Sequence, residues 1–463
     1  MTAIAAARAV PAKGGFFGHP AGLGYLAFTE AWERFSFYGM QALLVLYMVD
    51  QLLRPGHIEG VAGFGVLRGA LEKVSGPLST QALASQVFGL YTAFVYVTPV
   101  FGGMLGDRVL GRRRAITLGA TAMAAGHFLM ALEGGFLVAL TLLILGCGLV
   151  KGNIASQVGG LYDESDNRRS DAFQIFTLAI NVGVIGAPLI CGTLGEVVGW
   201  HYGFAAAGVG MLIGLGVYLA GRKHLPPDKV RRGQARPASR VRLESADWRA
   251  IWGLVALLPI LAVAFVGNNQ IYNVYMIWAR EHANLTIGGW KMPVTWLQSY
   301  DATVSVAGLV FAVWFWRRMA GRGFSPHELG KLTIGCAVSI LGFTALAAAA
   351  AIEARTGAKV PLAWLLAFHV INTLGYVNIL PVALALFSRA APPSVNATMI
   401  GVFYLLFFAA NLMVGWIGGL YGAMTPTSFW SLHAGLCAAS TGALILLWRP
   451  LKAALAPRQG PTA

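Results

Sequence analysis

Three charged residues lie within about one helical turn of each other in an apolar stretch near the start of the chain. Glu30, Glu33 and Arg34 are spaced so that a helix would place all three on one face. A carboxylate beside a guanidinium is held ionised, whereas one removed from water favours its neutral form, so such a group can take up and release a proton. The spacing therefore predicts a titratable site that lines a polar cavity, and Tyr38 and Gln41 continue its face.

The element that must position this cluster is a membrane-spanning helix. The chain from 23 to 49 is otherwise apolar and is long enough to cross a bilayer. Ionisable residues inside a membrane span are costly and commonly mark a functional site. A second interpretation stays open at this point, namely a buried ion network that only fixes one helix against its neighbours.

The composition also indicates a membrane protein. Of 463 residues, 57% are hydrophobic and 11% are charged, and the apolar residues fall into runs of about 20 to 28. We assign twelve membrane spans, at 21–53, 80–107, 113–133, 136–160, 170–195, 198–221, 249–280, 292–317, 327–352, 360–388, 394–421 and 427–449. The cysteines lie inside these spans and indicate neither a disulfide framework nor a metal site.

The net charge of +15 could indicate a nucleic-acid-binding protein, but the basic residues fall in alternate loops. With the N-terminus inside, the inner segments hold roughly 25 Lys or Arg and the outer loops roughly 7. This asymmetry predicts a multi-pass protein of the cell inner membrane with both termini cytoplasmic, and no nucleic-acid partner. No phosphate loop, catalytic triad or cluster of metal ligands is visible in the sequence, so we expect neither an enzyme nor a bound cofactor.

Several motifs are similar to those of one transporter family. The run Glu-x-x-Glu-Arg-Phe-Ser-Phe-Tyr-Gly-Met at 30–40 resembles the first helix of the proton-dependent oligopeptide transporters, the POT/PTR family, a branch of the major facilitator superfamily. The glycine- and arginine-bearing loop at 102–114 resembles the signature loop of the superfamily, and 176–183 resembles the family's fifth-helix motif. The resemblance extends over nearly the whole chain and is to bacterial members.

This resemblance implies an all-α integral membrane protein with the major facilitator superfamily fold, with about twelve helices in two six-helix bundles. We place the N-terminal bundle at 1–221, a cytoplasmic linker at 222–248 and the C-terminal bundle at 249–463. Many bacterial relatives carry two extra helices between the halves. A polar linker of about 27 residues is too short for them, so we expect no extra helix pair.

The resemblance also implies which residues act. The residues expected to couple transport to protons are Glu30, Glu33, Arg34 and Lys151. The residues expected to bind substrate are Tyr38, Gln41, Lys151, Asn181, Gln270, Asp301 and Tyr376. Alternatives stay open for Lys151, as an anchor that reaches toward the headgroups, and for Asn181, as a hydrogen bond between helices. His369 lies in an apolar span, where a lone histidine is expected to be packed and hydrogen-bonded.

The sequence departs from the family pattern where binding chemistry is expected. Gln41 replaces a second arginine, Asn269 stands where many members have glutamate, and Tyr376 stands where the tenth helix usually has glutamate. Asp301 is the one carboxylate that we place inside a span of the second half. We therefore expect Asp301 to receive the amino terminus of a peptide, with a gate ion pair to Lys151 or a buried polar bond as alternatives.

The expected function is a proton-coupled symporter that imports di- and tripeptides by alternating access, acting as a monomer in contact with membrane lipid. A symporter of the same fold for a non-peptide substrate, such as nitrate or a small organic ion, is the first alternative, because Gln41 and Tyr376 change both ends of the peptide clamp. A receptor or channel without coupled transport is the second. The buried titratable residues count against it, because an open pore has little use for them.

Overall fold

The computed structural model describes residues 15–163, 166–228 and 243–456, which fold almost entirely into helices. The first half contains α1 (Ala21–Tyr47), α2 (Phe64–Ser75), α3 (Thr80–Leu105), α4 (Arg112–Leu129), α5 (Phe136–Gly159), α6 (Arg168–Ala187) and α7 (Trp200–Gly221). The second half contains α8 (Ser245–Gln270), α9 (Val274–His282), α10 (Trp296–Ala320), α11 (Glu328–Thr356), α12 (Leu362–Tyr376), α13 (Leu380–Ala390), α14 (Asn396–Gly419), α15 (Pro426–Leu446) and α16 (Trp448–Ala454). Turns of π-helix extend α1 to Leu52, α3 to Leu110 and α6 to Val198.

Each predicted membrane span coincides with one long helix or with two consecutive helices. In the described part of the chain, ten helical segments are long and apolar enough to cross a membrane. The remaining two predicted spans are α1, which carries Glu30, Glu33 and Arg34, and α4, which begins with the arginines at 112–114. These charges distinguish both helices from the other ten segments, and their positions match the predicted spans.

The helices cross the molecule in alternating directions, so their ends form two faces. We call the face that carries the start of α1 and the short helix α16 the terminal face, and the opposite face, which carries α2, the α2 face. In the first half α1 packs against α6 and α7, and α3 packs against α5. In the second half α8 packs against α14 and α15, and α11 packs against α12 and α15. The halves meet where α3 packs against α14 and where α6 packs against α10.

Glycines allow close packing around the centre of the molecule. A Cβ atom on Gly89 in α3 would lie 2.5 Å from the Cα atom of Gly415 in α14, so a side chain at this contact would push the two halves apart. A Cβ atom on Gly152 in α5 would lie 2.5 Å from the carbonyl oxygen of Pro99 in α3. Small residues at both positions let the helix backbones approach, as is common between membrane helices.

Two spans of the second half are interrupted. The sequence analysis treated 249–280 and 360–388 as continuous spans, but α8 is separated from α9 at 271–273, and α12 from α13 at 377–379. Pro381, in the first turn of α13, has no backbone N–H to continue the preceding helix. In membrane proteins such interruptions are tolerated where they line a cavity, because the freed backbone groups find polar partners there.

Short strands lie on the α2 face. The strand β1 (Ala283–Asn284) pairs in parallel with β4 (Val360–Pro361), and β2 (Thr286–Ile287) pairs antiparallel with β3 (Trp290–Lys291). Gly288 and Gly289 join β2 to β3 with positive φ angles of 57° and 85°, which suit a tight two-residue hairpin.

The linker predicted at 222–248 falls largely on residues 229–242, which lie outside the described residues. The linker and the domain boundaries that depend on it therefore stay predictions.

Candidate functional site

A cavity of about 230 Å³ lies between the two halves of the molecule. Helices α1, α3 and α6 line it from the first half, and α8, α10, α12 and α14 line it from the second. Its wall is rich in hydroxyl and amide groups, and Asp301 is the single charged side chain among the described residues that line it. Such a cavity is suited to a small solute that forms hydrogen bonds and carries a positive charge.

The predicted proton cluster is buried in α1, one turn of helix before the cavity wall begins. The Nε atom of Arg34 lies 3.2 Å from Oε1 of Glu30, and Nη2 of Arg34 forms an ion pair with Oε2 of Glu33. Glu33 is fully buried, and the Cys147 sulfur from α5 lies 3.9 Å from its other carboxylate oxygen. The structure therefore brings the three charges into contact, as their helical spacing predicts.

Lys151 from α5 is held inside the first bundle by aromatic rings. Its Nζ atom lies 4.8 Å from the ring centre of Phe37 and 5.2 Å from that of Tyr96. Tyr96 lines the cavity, whereas Lys151 is not among the described lining residues. These cation–π contacts place the ammonium group behind Tyr96, which separates it from the cavity. The structure therefore does not support the alternative in which Lys151 reaches toward the lipid headgroups.

Most of the residues predicted to bind substrate do line the cavity. These are Tyr38, Gln41, Asn181, Asp301 and Tyr376. Asn181 donates a hydrogen bond from Nδ2 to the carbonyl oxygen of Thr177 at 2.9 Å, one turn earlier in its own helix. The bond that Asn181 makes is therefore within α6, not the interhelical bond of the alternative interpretation.

The placement of Gln270 corrects the sequence prediction. Gln270 is fully buried, accepts a hydrogen bond from Nδ2 of Asn273 at 3.0 Å and lies 3.4 Å from Nε2 of His433. It is not among the described residues that line the cavity, whereas its neighbours Asn268 and Asn269 are. The last turn of α8 thus turns these two amides toward the cavity, and Gln270 belongs to a buried polar cluster in the second bundle.

The partner of Asp301 in the structure is a histidine, not the Lys151 of the alternative gate ion pair. The Nδ1 atom of His369 in α12 lies 2.8 Å from Oδ1 of Asp301 in α10, and its Nε2 atom lies 2.9 Å from the hydroxyl of Tyr275 in α9. His369 is packed and hydrogen-bonded, as expected for a histidine in an apolar span, but its partner is an acid in the cavity wall. The side chain that pairs with Asp301 is therefore His369, in place of the Lys151 of that alternative.

Sequence reasoning missed several other residues of the cavity wall. They are Tyr96, Asn268, Tyr272, Ser305, Phe407 and Asn411. A usable signal was present for some of them, because the run Asn-Asn-Gln-Ile-Tyr-Asn at 268–273 interrupts an apolar span with amides, and polar groups inside a membrane need partners. The others lie singly on long helices and carry no such signal.

Contacts between the halves close the molecule on the α2 face. Asp50, at the end of α1, forms a two-point ion pair with Arg280 of α9. Glu196, at the end of α6, accepts hydrogen bonds of 3.0 Å from the backbone N–H groups of Val294 and Thr295, just before α10. Because these bonds join the two halves, they must break before the cavity can open on this face.

A protein-family model described as the POT family matches residues 113–243 and 229–427 of the chain. The chain belongs to the POT family. Among curated relatives, an uncharacterized transporter of Bacillus subtilis, YclF, is 29% identical, with 96% of each chain covered. A di-/tripeptide transporter of Lactococcus lactis subsp. cremoris is 27% identical, with 93% of this chain and 95% of its own covered. A solved peptide transporter, POT in complex with sulfate, is 26% identical, with a TM-score of 0.83 and coverage of 96% of this chain and 97% of its own.

Membership of the POT family and the likeness to this solved structure confirm the predicted fold class. The protein is a multi-pass membrane protein with the major facilitator superfamily fold. The departures from the family pattern at Gln41, Asn269 and Tyr376 all lie in the cavity wall. In this POT-family member, amides and a hydroxyl therefore stand where charged groups were expected from the resemblance.

Proposed function

We propose that this protein is a proton-coupled symporter that imports di- and tripeptides by alternating access. The observation that carries the proposal is the polar cavity between the halves, with Asp301 as the single charged residue among the described lining residues. Membership of the POT family, and relatives that are named as peptide transporters, support the proposal.

The cavity suits the amino end of a short peptide. Its volume of about 230 Å³ is below the roughly 300–1,000 Å³ of typical ligand pockets, which favours a small solute. A peptide amino group is positively charged below about pH 7.7, and a carboxylate such as that of Asp301 accepts strong, charge-assisted hydrogen bonds from it. Nitrate would instead meet a negative charge in this cavity, so the site favours peptides over the alternative of a small anion.

The carboxylate end of the peptide meets neutral groups in this proposal. Gln41 from α1 and Asn181 from α6 both line the cavity on the side of the first bundle. An amide donates a hydrogen bond to a carboxylate, but it lacks the positive charge and the two parallel donors of arginine. Recognition of the free C-terminus should therefore be weaker than in relatives with arginine at this position.

Glu33 is proposed to carry the coupling proton, with Glu30 and Arg34 tuning it. Arg34 contacts both carboxylates. A movement of Arg34 away from Glu33 would break this ion pair, and a carboxylate that loses a neighbouring cation binds a proton more readily. We propose that the conformation of α1 controls this contact and thereby couples proton binding to transport.

Lys151 is proposed to connect the proton cluster with the cavity. It lies against Phe37, which follows the cluster in α1, and against Tyr96, which faces the cavity. The energy needed for coupling is available. A charge that enters with the membrane potential gains about 2.3 kcal/mol per 100 mV, and coupling between two binding sites is typically about 1–3 kcal/mol.

The role of Asp301 is tested by comparing two peptides. Dialanine has a free amino group, whereas N-acetyl-dialanine has none. In Asp301→Asn we expect affinity for dialanine to fall about 10- to 100-fold, because a hydrogen bond to a charged group contributes about 1.5–3 kcal/mol. Affinity for the acetylated peptide should change little.

A matched control is available for this experiment. Glu353 on the α2 face also pairs with a histidine, since His282 Nδ1 lies 2.9 Å from its carboxylate, but Glu353 does not line the cavity. Glu353→Gln should leave both affinities near those of the unmodified protein. An equal loss for both peptides in Asp301→Asn would show that Asp301 only supports the structure and does not bind the amino group.

Transport itself is tested with purified protein in liposomes. Addition of dialanine outside should acidify the liposome interior, because protons and peptide enter together. Nitrate should give no acidification. Acidification by nitrate alone would favour the non-peptide alternative, and peptide flux without proton movement would indicate a channel.

The proposal includes the setting of the protein. We place it in the cell inner membrane as a monomer surrounded by lipid, with the terminal face cytoplasmic and the α2 face outside, on the basis of the Lys/Arg asymmetry. We also retain the domain division at 1–221, 222–248 and 249–463. Neither a catalytic activity nor a cofactor other than the coupling proton is part of the proposal.

A further inference from the structure

Asp301, His369 and Tyr275 form a buried chain of hydrogen bonds that begins at the cavity wall. Asp301 is 7% exposed and lines the cavity, whereas His369 and Tyr275 are fully buried behind it. The distances are 2.8 Å from Asp301 Oδ1 to His369 Nδ1 and 2.9 Å from His369 Nε2 to the Tyr275 hydroxyl. The chain links α10, α12 and α9, so it lies wholly in the second half, away from the cluster in α1.

This chain can hold or release a proton without losing a hydrogen bond. In neutral His369, Nδ1–H donates to Asp301 and Nε2 accepts from the Tyr275 hydroxyl. In protonated His369, Nδ1–H still donates to Asp301, and Nε2–H donates to the same hydroxyl, because a hydroxyl both donates and accepts. A change of protonation therefore needs only a rotation of the Tyr275 O–H bond, and both hydrogen bonds of His369 are kept.

Among the described residues, Asp301 is the acidic group that faces His369. The titratable groups that face the pair in the described structure are tyrosines, namely Tyr275 from α9, Tyr300 from α10, Tyr272 from the break after α8, and Tyr376 from α12. Tyrosine ionises near pH 10, so these groups stay neutral at physiological pH. From α11 and α15 the neighbours are the apolar rings of Phe343, which packs on Phe368 beside the histidine, and Trp430, which packs on Tyr275.

We propose that Asp301 and His369 form a second proton-binding pair, from which the amino group of a bound peptide displaces one proton. This inference rests on the proposed function, since it requires a peptide amino group at Asp301. The ammonium group takes the place of the imidazolium as the cation beside Asp301. The Nε2–H bond of His369 then breaks, its electron pair stays on Nε2, and the proton leaves to water. Neutral His369 keeps its Nδ1–H bond to Asp301, and Nε2 accepts from the Tyr275 hydroxyl.

The displacement makes the recognition of the amino group depend on pH. At low pH the ammonium must expel the His369 proton, so each further pH unit of acidification weakens dialanine binding by up to tenfold relative to N-acetyl-dialanine. At high pH the pair has already lost its proton, and this relative effect disappears. A peptide with a free amino group would also carry one fewer net proton per transport event than a blocked peptide.

The test is the number of protons exchanged on binding. Isothermal titration calorimetry of the purified full-length protein, in buffers of different ionisation enthalpy between pH 5 and pH 7, where the dialanine amino group is protonated, measures this number for dialanine and for N-acetyl-dialanine. The unmodified protein should release up to about one proton more with dialanine at the acidic end of this range. In His369→Gln the difference between the two peptides should vanish throughout this pH range.

Two controls separate this pair from other titrating groups. His433 is equally buried in the second half and bonds to a backbone carbonyl oxygen at 2.9 Å, so His433→Gln should keep the difference. Glu33→Gln removes the proposed coupling group of the first half. Because that group should exchange the same number of protons with both peptides, this variant should also keep the difference between them. A difference that persists in His369→Gln, or that is absent from the unmodified protein while dialanine still binds, overturns the inference.

A second variant covers the case in which His369→Gln does not fold. Tyr275→Phe removes the partner of Nε2, and this loss costs the protonated imidazole more than the neutral one, because hydrogen bonds to charged groups are the stronger ones. The pH at which the difference is half-maximal should therefore fall by roughly one unit. No shift in this variant would also overturn the inference. Failure of dialanine to bind the unmodified protein, or an equal loss for both peptides in Asp301→Asn, would instead refute the proposed role of Asp301.

Discussion

Replacement of Glu196 by alanine should shift the protein toward a state that is open on the α2 face. In the structure Glu196 belongs to the first half and accepts three hydrogen bonds from the second. These come from the backbone N–H groups of Val294 and Thr295, both at 3.0 Å, and from the Thr295 hydroxyl at 2.6 Å. The carboxylate thus lies just before the N-terminal end of α10, where a negative charge is also favoured by the helix dipole.

The size of the shift follows from these bonds. A hydrogen bond to a charged group contributes about 1.5–3 kcal/mol, but Glu196 is partly exposed and water replaces its partners when the halves separate. We therefore take a net loss of about 2 kcal/mol for the whole contact, which changes the equilibrium between the two states about 30-fold. A state that is open on the α2 face and has a population of about 1% would rise to roughly a quarter.

Accessibility of a cavity residue reports this population. Ala302 lines the cavity, so Ala302→Cys introduces a thiol that a membrane-impermeant reagent reaches from the α2 face only in the open state. The native cysteines within the described residues are buried and should contribute little labelling. The labelling rate should rise about twentyfold when Glu196→Ala is added, in proportion to the open population.

Glu72 provides the control carboxylate on the same face. It bonds to Arg68 and to the backbone N–H of Leu78 in its own half, and these bonds hold the pKa of Glu72 below its ordinary value, so it is ionised at neutral pH. Glu72→Ala should therefore leave the labelling rate unchanged. If Glu196→Ala folds normally but labels no faster than the parent, Glu196 does not hold the halves together and the reasoning is refuted.

Three further predictions concern the rest of the proposed mechanism. Glu33→Gln should abolish accumulation of peptide against a gradient but leave peptide counterflow intact, because the neutral amide cannot release a proton; full accumulation would end the assignment. Gln41→Arg should strengthen the binding of peptides with a free C-terminus. The reasoning would be wrong if the unmodified protein already preferred free-acid over amidated peptides by more than about a hundredfold, or roughly 2.7 kcal/mol, because another cation would then bind the C-terminus. Cysteines placed near Glu72 should react with an impermeant reagent outside intact cells, whereas cysteines near Arg322 should not; equal reaction would contradict the topology.

Much of the fold was determined by the sequence itself. The thickness of the hydrocarbon layer sets the length of each span, and the basic residues favour one side of the membrane, so both signals can be read without knowing which helices touch. The cluster of Glu30, Glu33 and Arg34 was predictable for a similar reason. Residues three and four apart within one helix share a face whatever surrounds that helix, so their contact follows from the spacing alone.

The interruptions of two spans were less visible, although the chain carried partial signals for them. Amides at 268–270 and Pro381 weaken helix continuity, yet span length alone favoured unbroken helices at 249–280 and 360–388. Both interruptions adjoin the central cavity, since Tyr272 and Tyr376 line it, and that cavity exists only after the two halves pack.

The pairing of side chains from different helices was decided by tertiary structure alone. Asp301 and His369 lie 68 positions apart on separate spans, and nothing in the spacing of either one points to the other. The adjacent residues Asn269 and Gln270 also face directions that the sequence alone does not reveal. One residue corresponds to about 100° of rotation around a helix axis, so the packing of α8 against α14 and α15 determines that Asn269 faces the cavity and Gln270 faces the interior of its own bundle.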